Sequence, residues 1–214
     1  MSSGCPCSDL HVSTENNEDR AGIIADAAPN CGCELQSLSP YSPGVVENEE
    51  TILRMVCFSM HVRRSGTGLL PTFFDHVFSK GMSAQRFEST SNENLADWIN
   101  MFLGKIDKQA WIGYVLASCK TIREVLHGEK NLRAFCVYDA AFDGNPNHIE
   151  VCAASRLQDK DLPEMRAILT RAFSDILPRY ALRDGIVQSM VNKEFIAREV
   201  PPKLRSYVVD APNP

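Results

Sequence analysis

Apolar residues along the chain fall into two patterns, short continuous runs and stripes at helical spacing. The runs at 52–58, 111–117, 134–138 and 149–154 are rich in β-branched and aromatic residues and predict strands, the second weakened or bulged at Gly113. The last two flank Asp143-Gly144-Asn145-Pro146-Asn147, so 133–155 predicts a strand, a turn-rich loop and a strand at the centre of the fold. Leu95, Trp98, Ile99, Phe102 and Leu103 recur at helical spacing behind Thr90-Ser91-Asn92-Glu93, which has the form of a capping box. Leu162, Met165, Ile168, Leu169, Ala172, Phe173 and Ile176 line one face of a second helix, capped at Asp161 and stopped by Pro178. Ser118 to His127 predicts a short helix closed by Gly128, and 186–200 a further one ended by Pro201-Pro202. The aromatic patch Phe73, Phe74, Phe78 and Phe87 is assigned to the core.

These elements predict an α+β fold. A mixed or mostly antiparallel sheet of about four to six strands is covered by the helices at 92–104 and 161–177, with a small layered α/β arrangement as the alternative. Residues 1–44 are set apart by Ser, Asn, Asp, Glu, Pro and Gly, and read as a flexible cysteine-containing segment. Residues 45–200 read as a single domain and 201–214 as a C-terminal tail.

Composition changes this picture little: 44% hydrophobic and 23% charged residues in 214 suit a folded chain. A net charge of -5 repels phosphate backbones, so nucleic acid is disfavoured as a partner. No apolar run reaches the roughly 18 residues of a membrane span, and residues 1–22 lack the basic and apolar regions of a leader. The expectation is therefore a cytoplasmic protein with no membrane contact. Of eight cysteines, Cys57, Cys119, Cys136 and Cys152 lie in apolar runs and read as reduced, buried thiols. Cys5, Cys7, Cys31 and Cys33 form two Cys-x-Cys pairs that could supply four thiolates, making Zn the candidate cofactor despite a departure from the usual Cys-x2-Cys spacing. His11, between the pairs, could replace one of these cysteines but reads rather as a solvated side chain.

Candidate chemistry centres on the loop at 139–148. Asp139 behind His148 would make a general base, with Arg54 and Arg86 as anion-binding groups. Two other readings stay open: a Zn set of Cys136, His148 and Cys152 with His61 or Cys57, and a plain turn held by Asp143 and Asn145. Ser65-Gly66-Thr67-Gly68 is a turn without the Lys-Ser/Thr of a phosphate loop. Leu53-Arg54 with the later Gly81-x-x-x-x-Arg86 resembles the opening strands of ADP-ribosyltransferase-like toxins; no glutamate motif accompanies it, and no residue's role is carried over. The leading expectation is a noncatalytic cytosolic accessory or interaction protein with a protein partner. The competing one is a hydrolase or transferase working through His148.

Overall fold

The computed structural model describes residues 6–58, 60–63, 68–91, 94–95, 97–98, 101, 110–128 and 130–178. Its centre is an antiparallel sheet in the order β6-β7-β2-β1-β3-β8, built from β1 (Thr51–Phe58), β2 (Met82–Arg86), β3 (Ala110–Ser118), β6 (Phe135–Asp139), β7 (His148–Ala153) and β8 (Leu177–Pro178). A two-stranded ribbon, β4 (Leu126–His127) with β5 (Leu132–Arg133), stands apart from it. The α+β expectation holds. The four strands expected from apolar runs are present within a residue or two, because β-branched and aromatic side chains pack well on a pleated surface.

One face of the sheet carries the main core. Ile52, Val56, Met82, Ala84, Val115, Val137, Ile149 and Val151 pack beneath Phe73, Phe74 and Val77 of a 3-10 segment (Pro71–Phe78) and beneath Met165, Leu169 and Phe173. Met165 and Leu169 come from the helix Leu162–Ala172, whose apolar stripe was expected; it ends at Ala172, where Phe173 turns extended and the Ser174 amide bonds the Leu116 carbonyl of β3, four residues before β8 begins. Gly113 sits where β8 crosses β3: a Cβ there would lie 2.1 Å from the Leu177 carbonyl oxygen. The helix expected over 118–127 shortens to α3 (Cys119–Arg123), since Leu126 and His127 leave it to pair with Arg133 and Leu132. Gly128, with φ +73°, belongs to the turn between them.

The opposite face is covered in two separate pieces. Leu95 and Trp98 lie over Leu53, Met55, Cys57, Trp111 and Tyr114 at the β1–β3 end. Positions 94, 95, 97, 98 and 101 are helical, and the Asn94 amide donates to Ser91 Oγ, so Ser91 is the cap and Thr90 instead bonds the Arg86 carbonyl. The rest of the expected helix over 92–104, and the one over 186–200 with the tail beyond it, lie outside the described residues.

Over the β6–β7 end lies the segment expected to be flexible. α1 (Pro6–Ser13), α2 (Arg20–Ala27) and a 3-10 segment (Pro29–Leu35) place Ala21, Ile24, Cys31, Cys33 and Leu38 against Cys136, Tyr138 and Cys152. We call residues 6–38 the strap. Burying Ile24 completely contributes about 1.5–3 kcal/mol. Two disulfides pin the segment, Cys7–Cys33 within it and Cys31–Cys136 to β6. The backbone is left-handed at both Asn30 and Cys31, a conformation that costs roughly 1–2 kcal/mol per residue carrying a Cβ.

The cross-links correct three expectations. Cys136 is not a reduced core thiol. Cys7, Cys31 and Cys33 cannot act as thiolate ligands while oxidised, so the Cys5, Cys7, Cys31 and Cys33 zinc site is not formed, and the alternative set loses Cys136 in the same way; Cys5 lies outside the described residues. Two disulfides also argue for an oxidising compartment in place of the reducing cytosol, where such bonds rarely persist. Cys57, Cys119 and Cys152 are free and buried, as expected. No helix among the described residues is long and apolar enough to cross a membrane.

Candidate functional site

Between the two covers of the sheet runs a groove of about 800 Å³. Its floor is the junction of the sheet's halves. β1 and β2 pair at Ile52↔Arg86 and Leu53↔Gln85, whereas β1 pairs with β3 along its whole length and β2 with β7 at four positions. Beyond Leu53 a side chain replaces the ladder: Arg54 Nη1 donates to the Ser83 carbonyl at 2.6 Å and Nη2 to the Phe73 carbonyl at 3.4 Å, with the guanidinium 4.7 Å above the Phe73 ring. No carboxylate pairs with Arg54 among the described residues, and its Nε has no acceptor. Burial lowers its pKa to about 10, so it stays charged at neutral pH with five donors and two acceptors.

Two histidines, His61 and His76, lie beside it, and a third, His11, lines the same groove. His61 Nδ1 accepts the Cys57 amide at 3.0 Å, which leaves the ring proton on Nε2. Burial, and then Arg54, hold its pKa near 3; His76 is lowered by the same two causes. On the strap wall, Arg20 donates to both carboxylate oxygens of Glu150 and, through Nη2, to His11 Nδ1 at 3.0 Å. His11 is thereby neutral, with its pKa lowered to about 3 by burial and then by Arg20, and its Nε2 has no partner. Glu150 is the cross-strand partner of Ser83, so one short path links Arg54, Ser83, Glu150, Arg20 and His11. Gly81 makes room for it: φ is +90°, and a Cβ would stand 3.0 Å from Glu150 Oε2. The donors converge on the groove, and its rim is apolar. Val12, Tyr41, Met60, Met101 and Phe142, five of the eight exposed large hydrophobics among the described residues, line it.

The neutral histidines make stability depend on pH with a definite sign. In the unfolded chain each titrates near 6.5, while His11 and His61 in the fold titrate near 3, so between these values the unfolded state binds more protons and stability falls as pH falls. Stability is complete above about pH 6.5, and by pH 5 each histidine costs about 2 kcal/mol. Urea midpoints measured from pH 7.5 to 5 are expected to drop accordingly, and His61→Gln should flatten the slope; a flat profile in the parent protein would contradict the neutral assignment.

The residues singled out from the sequence separate. Asp139 and His148 lie at the same end of β6 and β7 but on opposite faces, since Asp139 is paired with Ile149 and successive strand residues alternate. Asp139 accepts from Ser37 Oγ at 2.7 Å and lies 3.6 Å from Arg86 Nη2; His148 Nδ1 donates to the Ala140 carbonyl at 2.8 Å and its ring meets Phe142 edge-on. The general-base pair is therefore not assembled. Arg86 is buried and committed to Glu50 and to the Gly44 and Val45 carbonyls. Arg54 alone of the two arginines reaches the groove. Sequence reasoning passed over Arg20 and Glu150, and its solvated reading of His11 is corrected: the ring is buried against Tyr138 and bonded to Arg20. A glutamate inside the apolar run 149–154, on the same strand face as His148 and Cys152, was the available signal. Among the described residues no cluster of three or more His, Cys, Asp or Glu side chains is arranged to hold a metal ion.

No protein-family model, curated protein or solved structure matches the chain.

Proposed function

We propose that the protein is a noncatalytic binding module of an oxidising compartment whose groove takes a ring-bearing anion of nucleotide type. The observation that carries this reading is Arg54, a half-buried guanidinium on the groove floor with no carboxylate partner among the described residues. A buried cation is stabilised by a fixed anion, and a ligand can supply it. Tyr41, Trp98 and Phe142 around the groove suit the ring. Its volume falls in the range of small-molecule sites. The reading includes a protein partner, for which Leu126 and Leu132, both half-exposed on the β4–β5 ribbon, offer apolar contact.

Adenosine diphosphate serves as the probe, titrated against the full chain by calorimetry. Saturable one-to-one binding is expected, weakened about ten- to a hundredfold by Arg54→Gln, since a charge-assisted hydrogen bond contributes roughly 1.5–3 kcal/mol. A circular dichroism melt of the variant separates lost binding from lost fold. Equal affinity of parent and variant, or no binding by the parent, rejects the reading.

A further inference from the structure

We propose that the strap is a redox-released wall of the groove, and that its release lowers the groove's affinity for anions. The proposal rests on the reading of the groove as an anion site. It begins from what the strap contributes: His11 and Arg20 line the groove, and Arg20 is the counter-ion of the buried Glu150. Glu150 in turn lies across the strands from Ser83, whose carbonyl holds Arg54. Take the strap away, and the groove loses His11 and Arg20 from its wall while Glu150, which also lines it, loses its counter-ion. An uncompensated carboxylate in the groove then repels an anionic ligand. The Lys80–Glu18 pair, also broken on release, lies in solvent and counts little.

The attachment of the strap is chemically reversible. Cys7 is half-buried, while Cys31, Cys33 and Cys136 are buried, so an external dithiol reaches the Cys7–Cys33 bridge first. A thiolate of the dithiol attacks one sulfur and displaces the other; the second thiol of the reagent then closes its own disulfide, leaving Cys7 and Cys33 as thiols. A second equivalent reduces Cys31–Cys136 in the same way. Each bridge gains two electrons and two protons, and each dithiol is oxidised to one disulfide. Cys152 stays reduced throughout, beneath the strap and opposite Cys136 in the β6–β7 pair.

Cys152 reports the release without reference to any ligand. The full chain is treated with dithiothreitol, pulsed with iodoacetamide and mapped by mass spectrometry, with adenosine diphosphate titrated in parallel. Before reduction Cys57, Cys119 and Cys152 resist alkylation, because burial raises all three thiol pKa values. After reduction Cys152 is labelled together with Cys7, Cys31, Cys33 and Cys136, while Cys57 and Cys119, buried under other parts of the fold, remain protected. The affinity for adenosine diphosphate falls at least tenfold. In the oxidised protein Arg20→Gln reproduces that fall while Cys152 stays unlabelled.

Protection of Cys152 after complete reduction overturns the proposal, as does its labelling at the rate of Cys57 and Cys119, which means general unfolding. Release with unchanged nucleotide affinity overturns the coupling. Release in a protein that binds the nucleotide in neither state rejects the groove reading itself.

Discussion

Replacing Cys31 and Cys136 together by alanine is expected to lower the free energy of unfolding by about 4.7 kcal/mol, the chain-entropy value for a loop of roughly a hundred residues. The bridge spans a sequence separation of 105, against 26 for Cys7–Cys33, for which the same relation gives about 3.5 kcal/mol. Both bonds act on the unfolded chain, by removing conformations it would otherwise sample. The longer one acts also on the order of events, because without it the strap docks only through contacts such as Ile24 and Glu34 and comes away before the sheet does. Urea unfolding should therefore show a lower midpoint and a broadened transition by far-ultraviolet circular dichroism that no longer coincides with the one seen by tryptophan fluorescence, since Trp98 and Trp111 report the β1–β3 end and the strap leaves first. A loss below about 1 kcal/mol would mean that the unfolded chain is already compact around the strap and that the entropic account is wrong.

Glu34→Ala is expected to cost about 3–5 kcal/mol, the usual penalty for breaking one side of a buried ion pair. Glu34 is 3% exposed. Its Oε1 accepts from Arg123 Nε at 2.9 Å, Arg133 Nη2 at 2.7 Å and the Val137 amide at 2.5 Å, while Oε2 lies 2.5 Å from Arg133 Nη2. Alanine removes both acceptor oxygens and strands three donors, two of them charged. Glu34→Gln keeps the shape and one oxygen for Val137 but lacks the charge, so its cost should be about 2 kcal/mol. Chemical denaturation of both variants checks the ordering. If glutamine costs as much as alanine, charge alone, with no contribution from shape, holds the end of the strap against β6.

What could be read from the sequence follows from how far apart the cooperating residues lie. Thr51–Phe58, Ala110–Ser118 and Leu162–Ala172 announce themselves because their apolar patterns are local and the neighbours they need are simply other apolar surfaces. β2 was not predicted: Met82-Ser83-Ala84-Gln85-Arg86 has little β propensity, and its strand form is imposed by pairing with β7. Residues 6–38 were misjudged for a related reason. Their polar composition predicts disorder, yet Glu34, Arg20 and His11 are polar residues buried with polar partners as distant as Val137 and Glu150. Nor does cysteine spacing reveal connectivity, so a Cys-x-Cys pair whose two sulfurs leave in different directions looks the same as one that closes on a metal. Arg54 was singled out as an anion-binding group, but the groove around it draws on the strap, β1, the 3-10 segment, β2 and β7, and no periodicity links these.

The long reach of the Cys31–Cys136 bridge also has a consequence for biogenesis. A chain made at about 5–20 residues per second presents Cys7, Cys31 and Cys33 some 5 to 20 s before Cys136 follows. During that interval the strap has no sheet to lie on, and the sulfurs near Cys31 belong to its own first 33 residues. Where oxidation runs at the seconds end of its range, it joins them to one another. Correct pairing then comes by exchange once β6 and β7 have emerged, so the yield of native protein is governed by a disulfide isomerase more than by the supply of oxidant.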